Sequence, residues 1–95
     1  MGAEPYVFRE FQIPAYMMEP LLAYVREHRP IGGFLAAVFS NDFEQVCARA
    51  DTANLANLPA YAAYLFNDAP AGCWGSPEKV RAWLERGRPA EEESA

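Results

Sequence analysis

Residues 33–54 read GFLAAVFSNDFEQVCARADTAN, and the way this stretch divides decides what the rest of the chain can pack against. Gly33 to Phe39 lies in the most apolar run of the sequence. Phe34, Leu35, Val38 and Phe39 recur at helical spacing, in a segment too short to be stable alone. Ser40-Asn41-Asp42 then interrupts the run. Asn41 reads as a helix N-cap with Glu44 three residues on, a variant of the capping box. Phe43, Val46, Cys47 and Ala50 are the predicted buried stripe of the helix that follows. The competing division is one unbroken helix over 31–50; the caps favour a break.

Toward the N-terminus, the spacing of Met18, Leu21, Leu22 and Val25 predicts a helix from Tyr16 or Met17 to His28. Pro20 is tolerable there only within the first turn, and Arg29-Pro30 stops the helix. Residues 1–13 carry Tyr6, Val7, Phe8, Phe11 and Ile13 between Pro5 and Pro14, in a spacing that fits neither helix nor strand well. They are expected to form an extended aromatic arm over the helices. A short strand pairing with another copy is the alternative.

Toward the C-terminus, Asp51 or Thr52 caps a helix with Leu55, Leu58, Ala62 and Leu65 as its stripe and Tyr61, Tyr64 and Phe66 beside it. Pro59 either kinks it or marks its start after Asn57. Asn67 to Pro70 ends it, and 70–76 is a turn-rich loop. Ser76-Pro77-Glu78 is a cap, a proline at the first helical position and an acid in the first turn, opening a last helix to about Arg86. That helix buries Val80, Trp83 and Leu84, with Gly87 as the residue past its end. The expected fold is all-α: four to five short helices in a compact orthogonal bundle over 14–87, an arm over 1–13 and a disordered acidic tail over 88–95.

The net charge is −5, and Glu91-Glu92-Glu93 supplies three of those charges. No basic stripe is visible, which argues against direct nucleic-acid binding. The Asn41 junction has the look of a helix-turn-helix, but Arg49 is the one base the next helix offers. Arg26 and Arg29 flank His28 where a helix C-terminus favours cations. The two cysteines, Cys47 and Cys73, form no CxxC; free thiols in a reducing cytoplasm are expected, and the sequence leaves a disulfide open. No window suits a membrane span and no signal peptide is recognisable, so a cytoplasmic location is expected. Apolar residues make up 52% of the chain, rich for a small helical domain, which points to a homo-oligomer or partner face.

No catalytic constellation emerges. One His and two scattered Cys do not make a zinc site, and nothing orients a Cys-His pair. Neither GxGxxG nor a P-loop occurs; Gly32-Gly33 is better read as a tight turn. No cofactor or metal is expected. Asp42, Glu44 and Asp51 stand at helix starts, where dipole and capping already favour carboxylates. Asn54 and Asn57 flank one junction and are placed to hydrogen-bond across it. Trp74, between Cys73 and Gly75, is either tucked into the core or presented to a partner. The candidate binding residues are Trp74, Asn41, Asp42, Asp51 and Asn54.

The order of these signals resembles a group of small helical phage and prophage proteins of unknown function. The elements are Tyr16-Met17-Met18, Tyr24-Val25, Gly33 to Val38, Asn41-Asp42-Phe43, Ala50-Asp51 with Asn54, and Asn67-Asp68-Ala69-Pro70 through Cys73-Trp74-Gly75-Ser76. The resemblance covers about residues 14–85; Phe43 replaces a leucine of the pattern. It implies a phage accessory product and no activity. The leading expectation is a non-enzymatic protein acting by contact with a host or self protein surface. The alternative is a nucleotide-like small-ligand binder, as an oligomer with Arg9, Arg26 or Arg29 on the anionic groups.

Overall fold

The computed structural model describes residues 3–87, and over this range the chain is mainly helical with one small sheet. A hairpin of β1 (Tyr6–Phe8) and β2 (Phe11–Ile13) leads into α1 (Ala15–Glu27). Four short helices follow: α2 (Gly33–Phe39), α3 (Phe43–Arg49), α4 (Thr52–Ala56) and α5 (Leu58–Asn67). A 3-10 turn at Ala71–Cys73 precedes α6 (Pro77–Glu85). The described residues thus form six α-helices where four or five were expected, because the segment after Asp51 divides at Asn57. Pro59 sits in the first turn of α5, where its missing N–H costs little. The acidic tail expected over 88–95 lies outside the described residues.

The stretch 33–54 does break into two helices, by different chemistry from that expected. Asn41 is not the N-cap of α3. It is the left-handed residue, with φ 61°, that closes α2. Its N–H donates to Val38 O (3.1 Å), and Asp42 N–H donates to Ala37 O (3.0 Å). That pair of bonds is a Schellman motif, in which asparagine is the usual substitute for glycine. Asp42 is the N-cap of α3, its Oδ1 accepting a long 3.4 Å bond from Gln45 N–H. The helical start was placed one residue early because Asn and Asp suit both positions.

The expected stripe of α3 is also corrected. Val46 is buried, but Phe43 is 73% exposed and Cys47 is exposed. Only one narrow side of this seven-residue helix meets the rest of the chain. In α5 the buried residues are Ala60, Tyr61, Ala63, Tyr64 and Leu65, so the tyrosines are core and Ala62 faces out. Leu55 is likewise exposed. α1 buries Met18, Leu21 and Tyr24, with Leu22 and Val25 half-buried. Pro20 lies beyond the first turn of α1 yet does not end it. Tyr16, whose carbonyl a residue at position 20 would bond, is exposed, as is Pro20, so water can take that carbonyl.

The N-terminal segment is a hairpin rather than an extended arm. Tyr6 pairs with Ile13 and Phe8 with Phe11, so its strand partner is its own chain and not another copy. Arg9 turns the corner at φ 56°. The hairpin rests on α5: the Tyr6 ring meets Tyr64 edge-on at 5.3 Å, and Gln12 N–H donates to Asn57 Oδ1 at 2.9 Å. Ile13 is fully buried in the common core.

Candidate functional site

An apolar concavity lies where the α2–α3 turn faces α5. Val38, Phe43 and Val46 form one wall, and Leu58, Tyr61, Ala62 and Leu65 form the other. Asn41 and Asp42 stand at its edge, and its volume is about 150 Å³. Its existence follows from the two corrections above. The Schellman turn redirects the chain into α3, and Phe43, its first residue, stands out of the core. The small side chain of Ala62 leaves the facing side of α5 open.

Tyr61 joins this groove to a buried polar pair. Its hydroxyl donates to Asn54 Oδ1 at 2.6 Å, and Asn54 is only 4% exposed. The Asn54 N–H in turn donates to Asp51 Oδ1 at 2.8 Å, which caps α4. Burial pushes the Tyr61 phenol well above its ordinary value, with Tyr16 and Asp51 adding to the rise. Asp51 therefore acts first as a cap, and Asn54 as a satisfied core group rather than a group offered to a ligand. Asn57 adds a side-chain bond to Ala53 O at 2.8 Å while receiving Gln12 N–H.

Of the five predicted site residues, the structure brings Asn41 and Asp42 to the groove. Asp51 and Asn54 lie behind Tyr61. Trp74 is elsewhere: it is half-buried and packs against the core cluster. The loop that carries it is tied down on both sides, since Tyr24 Oη donates to Cys73 O (2.7 Å) and Gly75 N–H donates to Phe39 O (2.8 Å). Phe43, Leu58, Ala62 and Leu65 were missed as site residues. Their hydrophobic spacing reads as core; only the mismatch of small Ala62 between larger neighbours hints at an open face.

Asp42 also lines a second, more open cleft. It is lined by Gly33, Ser40, Gln45, Arg49 and Pro77 among others, with a volume of about 280 Å³. Arg49 there donates from Nε to Gln45 Oε1 at 3.0 Å. Among the described residues no group of three or more His, Cys, Asp or Glu side chains is placed to hold a metal ion. No helix among them is long and apolar enough to cross a membrane. Cys47 and Cys73 are not bonded to each other; burial pushes the Cys73 thiol up to about 11.

Comparison of the chain with protein families, curated proteins and solved structures finds no match in any of the three.

Proposed function

We propose that this chain is a non-enzymatic phage or prophage accessory protein that works by protein–protein contact, on a host factor in the bacterial cytoplasm. The observation that carries the contact reading is Phe43. A phenylalanine 73% exposed beside an open apolar groove is the arrangement of an interface anchor and its socket, not of a finished surface. The phage assignment rests on the resemblance of residues 14–85 and on nothing in the groove itself.

The small-ligand alternative is less well supported. Ordinary ligand pockets hold about 300–1,000 Å³, and the groove is about half the lower bound at 150 Å³. The charged side chain at its edge is a carboxylate, which repels the phosphates of a nucleotide-like ligand. Arg9, Arg26 and Arg29 do not line it.

The test is native mass spectrometry of untagged protein purified gently from its host, beside the Ala62→Trp variant. The expected result is a complex with one protein partner that re-forms from purified components and is lost in the variant. A small extra mass per chain, released on denaturation and retained by Ala62→Trp, overturns the reading in favour of ligand binding.

A further inference from the structure

The groove's size and charge together restrict what can occupy it. We propose that it receives one large apolar side chain from a partner segment that carries a lysine or arginine close beside that anchor. The inference rests on the protein-contact reading above and specifies the partner's chemistry.

A cavity of about 150 Å³ lined by apolar side chains takes a group the size of a benzene ring, and that is the volume of this groove. One leucine, isoleucine or phenylalanine fills it. Asp42 is the charged group at its edge; no lysine or arginine lines it. The Tyr61 hydroxyl is already committed to Asn54. Asp42 is exposed, and Oδ1 receives only the long bond from Gln45 N–H, so its charge is available to a cation arriving with the anchor. Desolvation by that anchor strengthens the ion pair at the groove edge.

The same charge argues against the other occupants. A second copy of this chain would bring a surface of the same sign against it, since the chain carries net −5. An acidic segment or a nucleic-acid backbone meets the same repulsion. A cationic segment meets attraction at short range and steering at long range.

The experiment titrates the full chain by NMR with two synthetic amphipathic helical peptides. Both share leucine on the apolar face; one carries lysine on the polar face and the other glutamate. Four variants accompany the parent. Phe43→Ala removes the exposed anchor wall, and Ala62→Trp fills the groove. Asp42→Asn removes the charge while keeping a good N-cap. Glu85→Gln changes the net charge equally, away from the groove.

The lysine peptide is expected to bind and to shift the signals of Val46, Leu58 and Leu65. Its affinity should fall about tenfold in Phe43→Ala and in Ala62→Trp. It should fall about threefold in Asp42→Asn, as expected for one partly desolvated charge pair, with Glu85→Gln matching the parent. Equal binding of both peptides, no binding of either, or equal effects of Asp42→Asn and Glu85→Gln would overturn the proposal. So would a concentration-dependent dimer mapped to the groove, in favour of a second copy. A native protein complex that survives both groove variants overturns this site while the contact reading stands. The finding of a retained small molecule in place of any protein partner overturns both.

Discussion

Asn54 shows how a polar side chain earns a place in a thin core. It is 4% exposed, yet its Oδ1 is taken by the Tyr61 hydroxyl, and no buried side-chain polar atom among the described residues lacks a partner. Asn54→Ala would strand that hydroxyl, so a loss of about 1–3 kcal/mol is expected in urea unfolding. Tyr61→Phe should cost about 1 kcal/mol, and the double variant less than the sum of the two, which a double-mutant cycle would measure. At the α2–α3 turn the cap is Asp42 and not the expected Asn41, whereas the Asp51 cap was legible because capping is a local contact over three residues. The burial of Asn54 was not, since it depends on a tyrosine seven positions later on another helix. Titration of the core is equally a matter of burial. Burial first, then Cys73 and Asp68, pushes the Tyr64 phenol up to about 12, and burial pushes the Cys73 thiol up to about 11. Their ordinary values are 10.0 and 9.0, so above pH 9 the unfolded chain loses protons that the folded chain keeps. Stability from these groups is therefore complete below pH 9 and declines as pH rises toward 12. Melting temperatures should be level up to about pH 9 on this account and then fall. Cys73→Ala should remove the earliest part of that fall, between pH 9 and 11.

At the scale of elements, the hairpin and the α2–α3 turn separate what the sequence discloses from what it hides. The turn was visible as a break, because Ser40-Asn41-Asp42 interrupts an apolar run. Which of its polar residues closes one helix and which opens the next depends on one backbone angle. The hairpin was hidden for another reason. Its strands are three residues each, below the length at which alternation can be read, and its corner is Arg9-Glu10 rather than a sequence with glycine or asparagine. An isolated hairpin of this size is marginal in water, so α5 supplies what the strands lack. Ile13, fully buried, is the main apolar link. Ile13→Ala should cost about 2–5 kcal/mol in a denaturant melt. Tyr6→Phe is expected to cost far less, about 1 kcal/mol, because it removes only the bond from Tyr6 Oη to Asp68 Oδ2 on an exposed rim. A larger loss in Tyr6→Phe than in Ile13→Ala would mean that the hairpin is held by its rim and not by its apolar face. The groove was illegible at this scale, since its lining comes from α2, the α2–α3 turn, α3 and α5, which only the tertiary fold brings together.

The whole molecule is closed by its C-terminal third. Trp83 Nε1–H donates to Tyr24 O at 2.9 Å, a bond spanning 59 positions of sequence. His28, left-handed at φ 59°, places Nδ1 2.9 Å from Trp83 O, and its ring lies tilted against the Trp83 ring at 4.5 Å. With Tyr24 Oη on Cys73 O and Gly75 N–H on Phe39 O, the loop and α6 are anchored to both α1 and α2. The end of α6 fits tightly: a Cβ on Gly87 would lie 2.8 Å from His28 Cβ and 3.1 Å from His28 O. Gly87 was expected as a helix terminator, yet its φ is not positive, and this close approach is the reason for a glycine there. These long-range contacts predict that α6 does not melt by itself. The protein's tryptophans, Trp74 and Trp83, both lie in this third, so their fluorescence reports on it while far-UV circular dichroism reports on all the helices. The two signals should give one midpoint in urea. Gly87→Ala forces the backbone apart at His28 and should cost about 1–3 kcal/mol, moving both midpoints together. A fluorescence transition at lower urea than the dichroism transition would show instead that the closure is a separate unit, with the hairpin, α2 and α5 holding the remaining core without it.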